Sequence, residues 1–70
     1  MQLSNVLLNA LKLKYKGDIA HRLANIKVYL NQSVGIGEHP DIIEAIDHEV
    51  DQLATAEDKL KTITQISEIW

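Results

Sequence analysis

Apolar residues recur in steps of three and four on both sides of a single break in this 70-residue chain. After the break, Ile42/Ile43, Ile46, Val50, Leu53, Ala56, Leu60, Ile63, Ile66 and Trp70 form one stripe. This is the pattern of a helix of about eight turns with one apolar face. Asp47, His48, Asp51, Gln52, Asp58, Lys59 and Lys61 fill its other faces. Pro40 suits the first helical position, where its missing N–H costs nothing. Asp41 and Glu44 follow where the helix dipole favours anions. The spacing predicts a helix over about residues 40–68.

Before the break, Ile19, Leu23, Ile26 and Leu30 follow a 4-3-4 spacing typical of packed helices. Leu7, Leu11 and Tyr15 continue the stripe upstream. The segment Leu11–Lys16 also alternates with period two, but it is short and has no second strand to pair with, so helix is favoured. A first helix is predicted over about residues 3–31. Gly17 stands inside it with two readings. As an exposed helical glycine it costs about 1 kcal/mol relative to alanine. Otherwise it ends one short helix and Asp18 caps the next. A continuous or kinked helix is the reading adopted.

Gly35, Gly37 and Pro40 mark the break itself, a loop over residues 32–39 in which Val34 and Ile36 are expected to plug the end of the core. The predicted fold is a single all-α domain, an antiparallel hairpin of two long helices. Ile19, Leu23, Ile26, Leu30, Ile46, Val50, Leu53 and Leu60 are the expected packing residues. Val6, Leu8, Leu13, Ala20, Val28, Tyr29 and Ile69 fall off the tightest stripe, so each apolar face is wider than one hairpin uses. Dimerisation into a four-helix bundle, or docking on a different protein, would cover the remainder.

Composition sharpens that expectation. A chain this short has a marginal core unless something else supports it. It has no cysteine, which removes disulfides and thiolate metal sites. It has no Phe, one Trp and two Tyr, a poor supply of rings for stacking on bases or sugars. Charge is divided unevenly. Residues 1–33 hold five cations and one acid, a net +4; residues 34–70 hold two cations and nine acids, a net −7; together they give the overall −3. Halves of opposite sign attract within a chain or between neighbouring chains.

Specific chemistry has weak support. Gly35-Ile-Gly37 lacks the third glycine and the preceding strand of a dinucleotide loop. Glu44, Asp47, His48 and Asp51 share a helical surface, and carboxylate with imidazole can hold zinc or iron. However, the Glu-x-x-His pair of di-iron bundles is missing, and Asp18 and His21 are the only such groups on the first helix. A solvated acidic face is the plainer reading, and no metal or cofactor is expected. His39 is a candidate helix cap or a group titrating near neutral pH. No serine stands in a nucleophile-elbow motif, so no enzyme is expected. Lys12, Lys16, Arg22 and Lys27 are candidate phosphate contacts, although nucleic-acid binders are usually basic domains. The basic segment Leu3–Lys16 does not gather its lysines on one face, which favours a bundle helix over a membrane-surface helix. No apolar run approaches the roughly 20 residues that span a bilayer, and no secretory signal is recognisable.

The segment Ile26–Leu30, followed by Gly35-Ile-Gly-Glu-His-Pro-Asp-Ile-Ile-Glu-Ala-Ile-Asp47, resembles small uncharacterised proteins of tailed myoviruses infecting marine cyanobacteria. The likeness covers roughly residues 19–63. It implies a viral protein acting in the host cytoplasm or in a virion, and carries over no functional residues. The expected function is non-enzymatic: self-association or protein–protein interaction, with the partner a second copy or an unidentified protein, as in a phage accessory or structural protein. The alternative is a small nucleic-acid-binding regulator using the basic stripe of the first helix.

Overall fold

The computed structural model describes residues 2–32 and 39–69, with the side chains of His39 and Pro40 excepted. Val34, Ile36, the two loop glycines, the proposed roles of the His39 and Pro40 side chains, and Trp70 therefore lie outside the described residues.

Among the described residues two α-helices make up the fold, α1 at Leu3–Gln32 and α2 at His39–Ile69. Among the described residues there is no strand. The expected all-α helical hairpin is what the chain forms. The backbone carbonyl of Gln2 accepts from the N–H groups of Asn5 and Val6 at 3.1 and 3.3 Å, satisfying donors that a helix start leaves unpaired. Helix α1 then runs unbroken through Gly17. A Cβ built there meets nothing within 4 Å, so the glycine fills no packing role within this chain.

The helices are antiparallel. Arg22 reaches Glu49, Tyr15 lies near Lys59, and Leu8 shares a surface depression with Ile66; as one number rises the other falls. The product is a rod of 54 × 15 × 12 Å with a radius of gyration of 16.1 Å. A compact chain of this length has a radius of gyration of about 11 Å.

Burial defines a seam that keeps to a strict alternation of four and three. On α1 it is Leu8, Lys12, Tyr15, Ile19, Arg22, Ile26 and Tyr29, all half-buried. On α2 it is Ile42, Ile46, Glu49, Leu53, Ala56, Leu60 and Ile63. This spacing averages 3.5 residues per turn, which holds one face against a partner helix along its whole length. The interior is thin. Only Ala56, Ile63 and Glu49 count as buried among the described residues, at 5%, 8% and 5% exposure. Eleven large apolar side chains among the described residues are exposed, including Leu3, Leu13 and Ile43. The chain shows 5323 Å² to solvent, against about 4400 Å² for an ordinary folded monomer of this mass.

Candidate functional site

The most organised chemistry sits in the middle of the seam. Glu49 occupies a position that helix spacing assigns to the interior, and it meets two donors from α1. Arg22 Nη1 donates to both carboxylate oxygens, at 3.2 Å to Oε1 and 2.9 Å to Oε2. Asn25 Nδ2 donates to Oε1 at 2.7 Å. Arg22 and Asn25 are three residues apart, so α1 presents both on one side within a single turn. The ion pair is asymmetric in exposure: the Arg22 side chain keeps 25% of its surface in solvent and that of Glu49 only 6%. The carboxylate is thus nearly enclosed, while the arginine that holds it keeps part of its side chain in solvent.

These contacts hold the Glu49 carboxyl below its ordinary pKa of 4.5, first through the Arg22 hydrogen bond and then through Asn25, with desolvation opposing. The consequence for stability has a definite sign. The unfolded chain takes up a proton on Glu49 near the ordinary value, the folded chain only at lower pH. Stabilisation by the charged form is complete above the ordinary value and is lost as pH falls from there through the folded pKa. Thermal melts should therefore have a flat midpoint from pH 7 to about 5 and a falling one below. Glu49→Gln should lose most of that acid dependence. An acid limb of unchanged steepness in the variant would show that other groups cause it.

A second, exposed group lies to one side of the seam. Lys14 Nζ donates to Asp18 Oδ2 at 2.9 Å, one turn along α1. Asp18 is held below its ordinary pKa chiefly by that hydrogen bond. Lys14 and Lys59 approach the Tyr15 ring to 5.7 and 5.9 Å from its centroid. With both partners largely solvated, such a pair adds little to stability. Asp18, Arg22, Gln52 and Lys59 line a polar groove on this side.

The predicted residues divide as follows. Ile19, Ile26, Ile46, Leu53 and Leu60 are half-buried in the seam, whereas Leu23, Leu30 and Val50 are exposed in the single chain. Lys12 is half-buried and Arg22 is engaged by Glu49, leaving Lys16 and Lys27 exposed on α1. The four candidate phosphate contacts thus do not share one open surface. Glu44, Asp47, His48 and Asp51 are all exposed, as is His21. Among the described residues no group of three His, Asp or Glu side chains is placed to hold a metal ion, and no helix is long and apolar enough to cross a membrane. Glu49 and Asn25 were not singled out by sequence reasoning. A 4-3 spacing admits Arg22 on one helix and Glu49 on the other, but it does not exclude Val50 in place of Glu49 and gives no signal for Asn25.

No family model matches the chain, and neither a curated protein nor a solved structure matches it.

Proposed function

We propose that the chain is a non-enzymatic helical-hairpin protein that acts by association through its exposed aliphatic surface, first of all with itself. The observation that carries this reading is the large apolar surface that one hairpin leaves uncovered: Leu3, Leu13, Leu23, Ile43 and Val50 are all exposed. Isolated apolar residues on a surface are ordinary, but extended apolar faces are usually partnered. The buried ion pair supports a structural role, since its charges answer one another inside the hairpin. A nucleic-acid-binding role draws less support, because Lys12 and Arg22 face the seam.

The test is the molar mass in solution by size exclusion with light scattering, over a concentration series at low and high salt. Self-association predicts a dimer or larger species that dissociates on dilution. A monomer throughout overturns self-association. Binding to a nucleic acid at low salt, abolished by added salt, would instead favour the regulator reading.

A further inference from the structure

One residue beyond each seam position lies a second stripe, exposed along almost its whole length on both helices. In an antiparallel pair these two stripes fall on the same side of the rod, opposite the groove that holds Asp18 and Lys59. The Asn25–Glu49 hydrogen bond and the Tyr15–Lys59 approach share one register and set which residues are level across the hairpin. On that register Leu23 is level with Val50, Ala20 with Ala54, Lys27 with Asp47, and Lys16 with Glu57. Apolar stands level with apolar and cation with acid. Among the described residues, none of these four charged groups makes an ion pair within its own chain.

We propose that two copies pack through this side into a four-helix bundle with both interhelical segments at the same end, α1 of each copy antiparallel to α2 of the other. This rests on the self-association reading above and specifies its geometry. The two-fold axis then runs along the rod, so every α1 residue meets the α2 residue of the other copy that stands at its own level. Lys27 meets Asp47, Lys16 meets Glu57, and Leu23 packs on Val50. Past Lys16 the match ends, since Leu13 is level with Lys61.

Inverting one copy loses this agreement. With antiparallel neighbours it sets α1 against α1 and α2 against α2. Helix α1 has five cations and one acid, and α2 two cations and eight acids, so like charge would face like charge. The area is also suitable. The chain exposes 5323 Å², about 900 Å² more than a typical monomer of its mass, and a standard interface covers about 800 Å² per partner.

Charge reversal tests the contact. Lys27→Glu and Asp47→Lys should each shift the full chain toward monomer, because each homodimer then has two like-charge contacts. Mixed in equal amounts, the two variants should recover a dimer of wild-type affinity as a heterodimer. Helicity by circular dichroism confirms that each variant is folded. End-to-end orientation is read independently. The chain has no cysteine, so Asn31→Cys carries a single spin label near the end of α1. Helices packed 8–10 Å apart predict a label separation of about 20–30 Å with the segments at one end, and about 40 Å or more with them at opposite ends. A mixture that stays monomeric, or a separation near the helix length in a wild-type-like dimer, overturns this arrangement while leaving self-association intact. A wild-type monomer overturns both.

Discussion

Replacing Arg22 with methionine should abolish the cooperative melt of the hairpin at room temperature, the largest effect expected of any single substitution in the chain. Methionine keeps much of the side-chain volume but leaves Glu49, at 5% exposure, without the cation whose Nη1 donates to both its oxygens. Asn25 can still donate one hydrogen bond, but it cannot compensate a buried charge. Removing one member of a buried pair costs far more than removing both, because the survivor keeps its desolvation penalty without the attraction. The double variant Arg22→Met/Glu49→Met should accordingly recover a cooperative melt and approach or exceed the native midpoint. Denaturant melts of the four members of this cycle measure the coupling directly. If the Arg22 variant melts like the native chain, the pair is a surface contact and the seam does not pass through Glu49.

The second large effect belongs to Ile63, which is 8% exposed and is one of only two buried apolar residues described. Ile63→Ala should cost about 2–4 kcal/mol, the usual range for removing a buried branched side chain. In a small domain that is a large part of the total stability. Leu13→Ala removes a comparable side chain that is 70% exposed. In the isolated hairpin it should change stability by no more than about 0.5 kcal/mol. Chemical denaturation of both variants decides the matter: similar losses would mean that the interior is not where burial places it.

The hairpin architecture was legible because it depends on features that sequence displays directly: two long stretches of helical periodicity and one cluster of breakers. The rotation of each helix about its own axis was harder to read. Leu7, Leu11, Tyr15, Ile19 and Leu23 lie four residues apart. Four residues exceed one turn, so this run winds about 160° around the helix over four steps. It cannot remain on one contact face. The seam follows Leu8, Lys12, Tyr15, Ile19 and Arg22 instead, alternating four and three. Hydrophobicity alone prefers Leu23 to Arg22, Leu30 to Tyr29, and Val50 to Glu49. Two helices make too thin an interior to exclude polar groups, and long side chains such as Lys12 can lay their stems along it and keep their heads wet. On α2, spacing permits either Glu49 or Val50. What decides between them is Arg22 on the other helix, a long-range fact that no local window contains.

The hydroxyls of α2 show the same limit. Thr64 donates to the Leu60 carbonyl at 2.7 Å and Ser67 to the Thr64 carbonyl at 2.8 Å. Both residues are half-buried. Each satisfies itself on its own helix, so polar residues near the seam need no partner from α1.

Antiparallel order has a mechanical consequence. Leu3 and Ile69 lie at the same end of the rod, as the shared surroundings of Leu8 and Ile66 show. Tension applied there peels the helices apart like the two arms of a zip, so only the foremost contacts bear the load at any moment. Ile63, Leu60 and Ala56 part before the force reaches the Arg22–Glu49 clasp. Pulled instead from opposite ends, one helix against the other, the same contacts would resist together as a shear joint. Weak against unzipping and strong against sliding, the hairpin has a preferred direction for load.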